Sequence, residues 1–372
     1  MRSTSAAWLV IFLWAGLSAP LSVAQIRVAA QPSQPSSDAP HSGASISGST
    51  IELRATSTMN VASEMGGAFM TPSKCDVDGN LYIRKFAVDR PLLGPVVKID
   101  PDGKRTALFD LSGFSQLSLD RADAFSPASD GGLYQIAQSG VVKPRIYVLH
   151  FSSDGSPSSA TRLDADFEVY TFAAFAGGNF LLSGVKRDLQ DKSDRGRPFT
   201  AVFSADGREL AQLSFQELPE TAKAAGNLNA GGHQQGSSKE AAEPAPVLDL
   251  ADAEVGSDGN LYVMRSSSPA LVFVIAPSGK VMQKIKVAGP HSATPSAFHV
   301  SGNRLAISFW SEENESQTMV VADAQTGRKI ASYGDSSGLG SSFACYDANE
   351  GVFTFLKLGE GNRLEVIRAE AQ

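Results

Sequence analysis

A five-residue sequence that recurs along the chain restricts its possible folds more than any other feature. DGNLY occurs at residues 78–82 and again at 258–262, and DGGLY occurs at 130–134. Each copy predicts a tight turn, because glycine adopts positive φ at little steric cost and asparagine tolerates it. Apolar or β-branched residues stand on both sides, which makes each turn a β-hairpin. The chain is therefore expected to consist of repeated hairpins.

A second turn follows each of these sequences after a further apolar run. The second turns read PDGK at 101–104, SDG at 153–155 and PSGK at 277–280. One repeat unit thus has four short strands and two hairpin turns, which is typical of one blade of a β-propeller.

Six such units can be counted, and their spacing is close to the usual length of a blade. One interval is longer, and it contains an insertion at residues 217–246 that is rich in Ala, Gly, Gln, Glu and Pro. This insertion is expected to be a loop, either a lid over the central channel or a tolerated addition. The units are marked by the first apolar residue after each first turn: Leu81, Leu133, Phe180, Leu261, Leu305 and Val352.

The last unit has only three candidate strands before the chain ends. A spare strand-like segment lies near the other end, at about residues 50–56. A propeller must close without leaving an unpaired sheet edge. We therefore expect an all-β, six-bladed β-propeller over residues 50–372, whose last blade takes residues 50–56 as its outer strand.

The first 49 residues differ from the rest in composition. Arg2, an apolar run at 7–15 and a small-residue cleavage site at 22–24 predict a bacterial-type Sec signal peptide over residues 1–24. The alternative is an uncleaved anchor, although the run is short for a membrane span. Residues 25–49 are rich in Ser, Pro, Gln, Ala and Gly, which predicts a disordered linker. The expected location is secreted or periplasmic, without stable membrane insertion.

Charge restricts the possible partners. The chain carries a formal net charge of -7 and has no basic run. This argues against nucleic acid and against an anionic membrane surface as binding partners. A monomer is expected.

The DGNLY sequences, together with the DPDGK and SDG turns, resemble six-bladed β-propellers of the NHL-repeat and gluconolactonase-like (TolB-like) superfamily. The pattern covers residues 50–372. The resemblance implies that a site would lie on the face formed by the links between blades and the middle loop of each blade, here called the loop face. The superfamily includes binding scaffolds, lactonases and lyases, so the resemblance specifies fold more closely than function.

Lactonase-like members of this superfamily hold a divalent cation with Glu, Asn and Asp ligands in the channel. Asp76, Asp252 and Glu254 lie on predicted inner strands or next to them. Oxygen donors of this kind suit Ca²⁺ or Mg²⁺. The family's ligand motifs do not match here residue by residue, so no metal ligand is assigned. The acids would otherwise cap turns or line a wet channel.

His299 is the one histidine on a predicted inner strand. Virginiamycin-type lyases, which share the same turn sequence, use a channel histidine as a general base, and His299 is a candidate for that role. The other interpretation is a hydrogen-bonded strand residue. Charged residues on the predicted loop face are candidates for binding a polar or anionic ligand, or are solvated charges; they include Arg121, Arg187 and Arg265.

The two cysteines, Cys75 and Cys345, fall in the first and last units, which ring closure makes neighbours. A disulfide would reinforce this seam in an oxidising compartment, provided that the Cα atoms lie within about 7 Å. The alternative is two buried thiols.

The sequence thus predicts an exported propeller that binds an unidentified protein or small molecule on the loop face, without a cofactor. The alternative is a lactonase-like hydrolase or lyase that depends on Ca²⁺ or Mg²⁺ and has its site in the central channel.

Overall fold

The computed structural model describes residues 50–65, 69–87, 89–90, 92–140, 145–163, 167–186, 196–213, 250–335, 339–340, 342–360 and 363–372. All of these belong to one compact unit, which spans residues 48–372. The predicted signal peptide (1–24), the linker (25–49) and the insertion (217–246) lie outside the described residues. Within the described ranges, no helix is both long and apolar enough to cross a membrane.

The described chain is almost entirely β-strand, and most of its strands form antiparallel hairpins in chain order. It begins with a strand and a one-turn helix, β1 (Ile51–Asn60) and α1 (Ala62–Met65). The first four-stranded sheet contains β2 (Phe69–Cys75), β3 (Leu81–Lys85), β4 (Val96–Ile99) and β5 (Arg105–Phe109). A 3-10 helix (Leu111–Leu117), which the sequence analysis did not predict, leads to the second sheet.

Three further sheets repeat the four-stranded pattern. The second contains β6 (Arg121–Pro127), β7 (Leu133–Ser139), β8 (Arg145–Phe151) and β9 (Pro157–Leu163). The third contains β10 (Phe167–Ala174), β11 (Phe180–Lys186), β12 (Arg197–Phe203) and β13 (Glu209–Gln212). The fourth contains β14 (Leu250–Val255), β15 (Leu261–Arg265), β16 (Ala270–Ile275) and β17 (Val281–Val287).

The remaining strands lie in one eight-stranded sheet with the order β18-β19-β20-β21-β1-β24-β23-β22. Its strands from the last two predicted blades are β18 (Ala293–Ser301), β19 (Arg304–Ser311), β20 (Ser316–Asp323), β21 (Lys329–Asp335), β22 (Ser342–Asp347), β23 (Val352–Leu358) and β24 (Leu364–Ala371). Four of the six predicted blades are therefore separate sheets, whereas the strands of the last two share one sheet through β1.

The N-terminal strand pairs with β24, as the sequence predicted, but it is longer than expected and has a second partner. Leu53 to Asn60 pair antiparallel with β24, and Ile51 to Leu53 pair in parallel with β21. The expectation of a simple outer strand over residues 50–56 is corrected accordingly, because a second sheet edge lies close enough to bond the start of the same strand.

The first strands of the hairpin series form a closed ring. β2 contacts β6, β6 contacts β10, β10 contacts β14, β14 contacts β18, β18 contacts β22, and β22 contacts β2. Sheets that radiate from a ring of this kind form a β-propeller. The fold is therefore an all-β propeller, and the first strands enclose its central channel.

The repeated turns have the predicted backbone geometry. Gly79, Gly131 and Gly259 have φ values of 76°, 79° and 76°. The core lies between neighbouring sheets, where buried apolar side chains of one sheet pack on those of the next. For example, the rings of Phe109 and Phe151, from the first and second sheets, meet edge to face at 5.8 Å. Each first hairpin turn follows the last residue of a first strand. The end of the channel next to these turns is here called the turn end.

Candidate functional site

A cavity of about 260 Å³ lies at the turn end of the channel. Its wall is formed by the last residues of β2, β6, β14 and β18 and by the first hairpin turns of the first four sheets. Much of this wall is small or apolar, including Val77, Pro127, Ala128, Ala176 and Val255. The sequence analysis expected a site on the loop face, and the cavity is at the opposite end of the first strands.

Two charged side chains meet across the channel beneath this cavity. The Lys74 ammonium on β2 donates a hydrogen bond to Asp252 Oδ1 on β14, and a second to the Ala253 carbonyl at 3.2 Å. In the ring of first strands, β14 stands opposite β2, so this ion pair spans the channel. Burial raises the pKa of Asp252, Lys74 lowers it, and the nearby Glu254 carboxylate raises it further.

A histidine and a glutamate join the neighbouring first strands β14 and β18. His299 Nδ1 lies 3.0 Å from Glu254 Oε2, and the Val300 backbone N–H donates to the same oxygen at 3.2 Å. The two side chains are 8% and 10% exposed, and both line the cavity. Since Glu254 accepts the Nδ1 hydrogen, the neutral imidazole carries its lone pair on Nε2. No hydrogen bond within the described part of the chain reaches Nε2.

Asp76 is the centre of a hydrogen-bonded turn. Its carboxylate accepts from the Asn80 backbone at 2.9 Å, from the Asn80 side chain and from the Tyr82 hydroxyl at 3.1 Å. Lys98 Nζ lies 3.6 Å away, and the Tyr82 hydroxyl also lies 3.0 Å from the Gly131 carbonyl. Burial raises the pKa of Tyr82, and the nearby Asp76 carboxylate raises it further. Asp76 therefore caps its turn and ties the first sheet to the second.

The arginines proposed for the loop face do not line the cavity. Arg121 begins β6 and Arg265 ends β15, so both lie at the end of their strands away from the first turns. Arg121 pairs with Asp123, which also accepts from Gln138 at 2.8 Å. Burial raises the pKa of Asp123, and Arg121 partly offsets this. Arg187 lies outside the described residues.

The carboxylates of the channel do not fit the implied divalent-cation site. In the part of the chain that the structure describes, no group of three His, Cys, Asp or Glu side chains is arranged to hold a metal ion. Asp252 is paired with Lys74, Glu254 is bonded to His299 and Val300, and Asp76 is occupied by its turn. A hard cation needs several oxygen donors that converge on one point, and these oxygens bond to separate partners.

Sequence reasoning placed Asp252, Glu254 and His299 on inner strands but missed Lys74. Lys74 could have been noticed in the sequence as a charged residue at the end of a predicted inner strand, directly before Cys75. A buried lysine needs a partner, because an unpaired buried charge is costly. The partner is 178 residues away, and its position became clear only when the ring was closed.

The structure joins Cys75 and Cys345 by a disulfide with a Cα separation of 6.0 Å. Cys75 also lines the cavity, so the bond supports one side of its wall. The bond connects β2 with β22, which are neighbours where the ring closes.

Comparisons with known proteins do not assign a family. No protein-family model and no curated protein matches the chain. A gluconolactonase from Xanthomonas campestris is similar in structure at a TM-score of 0.42 and 12% identity, over 86% of this chain and 95% of that protein. The Neurospora crassa Pan2 WD40 domain has a TM-score of 0.42 and 9% identity, over 87% and 96% of the two chains.

A protein of unknown function from Bacteroides caccae has a TM-score of 0.43 and 10% identity, over 71% of this chain and 80% of that one. At these values the similarities do not bear on function. The identification of the fold rests on the sheet order and on the ring of first strands.

Proposed function

We propose that the chain is an exported β-propeller that binds a small organic molecule in the cavity at the turn end of its channel. The observation that carries this proposal is the wall of the cavity, which combines small and apolar residues with the buried polar edge of His299. Ligand pockets of proteins typically have such mainly apolar walls with a few fixed polar groups.

We also propose that the eight-stranded sheet is two blades, which makes six in total. β18 and β22 both belong to the ring of first strands, and each begins a run of antiparallel hairpins. Among the described strands, the backbone hydrogen bonding between the two runs passes through β1, at their outer edges. Such an arrangement supports two blades that share an edge strand.

Export is supported by two observations of different kinds. The first 24 residues combine a positive start, an apolar run and a small-residue cleavage site. A disulfide between the ends of the ring agrees with an oxidising compartment. Secretion and a periplasmic location both satisfy these observations.

The alternative function was a metal-dependent hydrolase or lyase. It requires converging oxygen ligands in the channel, and the channel carboxylates are engaged with other partners. We therefore do not propose it. A partner on the loop face, whether protein or small molecule, stays a prediction, and the present proposal concerns the cavity at the other end.

The proposal is tested by native mass spectrometry of the exported protein after incubation with a small-molecule extract of its source cells. The cavity is blocked by Ser257→Trp, since Ser257 is exposed at the rim. Ser278→Trp, at an exposed turn outside the wall, is the matched control. We expect a bound small-molecule mass in the unmodified protein and in Ser278→Trp, but not in Ser257→Trp.

Two results would contradict the proposal. One is the absence of any bound small molecule in the unmodified protein. The other is equal retention by the two tryptophan variants, which would mean that the molecule binds elsewhere.

A further inference from the structure

We infer that the ligand of this cavity is a small organic cation, namely an amine with a compact apolar body. The inference rests on the proposed function, because it names the chemical class of molecule for the same cavity.

The charge of the wall favours a cationic ligand. The described lining residues include three carboxylates, Asp76, Asp78 and Glu254, and one ammonium, Lys74. Lys74 is neutralised by Asp252 beneath the cavity, and Asp76 is balanced by Lys98 at 3.6 Å. Within the described ranges, the Asp78 carboxylate then remains without an ion pair, and the Glu254 carboxylate is bonded only to the His299 imidazole and the Val300 N–H. A low-dielectric cleft lined by one sign of charge attracts ligands of the other sign.

Asp78 has the position and freedom to meet such a ligand at the rim. It is exposed in the first turn, and its backbone N–H, but not its carboxylate, is engaged by Asp76. Within the described ranges, no hydrogen bond or ion pair occupies the Asp78 carboxylate. An ammonium group at the rim would therefore form a charge-assisted hydrogen bond without displacing a protein partner.

The buried imidazole of His299 independently favours a ligand that donates a hydrogen bond. His299 is more than nine-tenths buried, lines the cavity and has Nδ1 held by Glu254. In the neutral form this leaves the Nε2 lone pair as a hydrogen-bond acceptor, so a complementary ligand needs an N–H or O–H donor. An alkylammonium supplies several donors and a positive charge, whereas a carboxylate supplies only acceptors.

The size and polarity of the cavity favour a compact apolar body. A volume of about 260 Å³ and a wall with Val77, Pro127 and Ala176 suit a body of one ring or a short branched chain. Highly polar polyhydroxylated bodies would leave many hydroxyl groups without partners on such a wall.

The test uses three probes that share a phenyl ring and a short tether but differ in charge: 2-phenylethylamine, 2-phenylethanol and phenylacetate. Their dissociation constants are measured by isothermal titration calorimetry at neutral pH. We expect the amine to bind roughly threefold to tenfold more tightly than the alcohol, and the acid to bind most weakly. Added salt should reduce the preference for the amine, since Asp78 is exposed to solvent.

Variants separate the effect of the Asp78 charge from the effect of the His299 imidazole. Asp78→Asn should reduce the preference for the amine over the alcohol, whereas Asp102→Asn should not. Asp102 is the matched control, because it is an exposed aspartate before the positive-φ Gly103 in the second turn of the same sheet. His299→Phe keeps an aromatic ring but removes the acceptor, and should weaken both the amine and the alcohol.

The outcomes distinguish this inference from the proposed function. If phenylacetate binds as tightly as the amine, and Ser257→Trp abolishes the binding of both probes, the cavity binds ligands as proposed. The inferred preference for a cation is then wrong. If the amine preference is unchanged in Asp78→Asn, the electrostatic argument is overturned. If none of the probes binds, the inference is overturned, while the extract experiment still decides the proposed function.

Discussion

At the scale of single residues, the least expected feature is the ion pair between Lys74 and Asp252. Both side chains are largely removed from water, at 6% and 20% exposed. Burial of two charges costs free energy that their attraction only partly returns. Such a pair is therefore weak evidence for stability in itself, but removal of one member leaves the other charge without compensation. The pair links β2 to β14 across the channel, and Lys74 also lines the cavity.

The first prediction concerns this pair. Lys74→Met should lower the free energy of unfolding by about 3–5 kcal/mol, because Asp252 keeps its burial but loses its partner. The double variant Lys74→Met with Asp252→Leu should recover most of that loss. Urea unfolding of both single variants and the double variant gives the coupling energy.

An exposed ion pair serves as the control for this cycle. Arg208 and Asp206 lie 2.8 Å apart in a turn, with side chains 77% and 60% exposed. Arg208→Met should leave the unfolding midpoint unchanged, since exposed pairs contribute little. Equal losses for Lys74→Met and Arg208→Met would show that the channel pair has no special role.

At the scale of structural elements, β1 contributes to the closure of the propeller by pairing with two strands. It bonds to β24 over most of its length and to β21 at its start, so it covers two sheet edges at once. Leu53 lies where the two pairings meet, and its side chain is fully buried with Ala306, Phe353 and Phe355. Unpaired edges favour association with other chains, so this strand also protects the fold.

The second prediction is that Leu53→Ala lowers the free energy of unfolding by about 2–5 kcal/mol, because it leaves a cavity among fully buried side chains. Thr58→Ala is the control on the same strand, since Thr58 is exposed, and should change stability by less than about 0.5 kcal/mol. Chemical denaturation measures both. Equal effects of the two substitutions would show that β1 contributes no core packing.

At the scale of the whole molecule, the ring is closed in two ways that are far apart in sequence. β1 joins the start of the described chain to β24 near its end, and the disulfide joins Cys75 to Cys345 across 270 residues. The disulfide joins the first and last units, whereas β1 pairs within the last unit and with the edge of the unit before it. A covalent link over such a long loop restricts the unfolded chain strongly, in the chain-entropy view of disulfides.

The third prediction follows from this link. Reduction of the protein, or replacement of both Cys75 and Cys345 by Ala, should lower the free energy of unfolding by about 2–5 kcal/mol. Unfolding curves with and without dithiothreitol measure the effect, and the double alanine variant should not respond to the reductant. A midpoint that is identical in the oxidised and reduced protein would contradict a stabilising role for the bond.

The sequence alone determined the repeated unit, the all-β class and the propeller. A turn and the strand that follows it depend on residues that are neighbours in the sequence. Residues such as Gly79 and Leu81 are therefore enough to predict them. Asp252, Glu254 and His299 could be placed on inner strands for the same reason. The partners of a strand end, by contrast, depend on which strands face each other across the channel.

Only the tertiary structure decided that Lys74 meets Asp252, that Glu254 holds His299, and that the cavity lies at the turn end. It also decided that β1 bonds two edges. Each of these contacts joins segments from different sheets, and no local pattern encodes such distances. They arise because the closed ring brings the ends of separate first strands together around one channel.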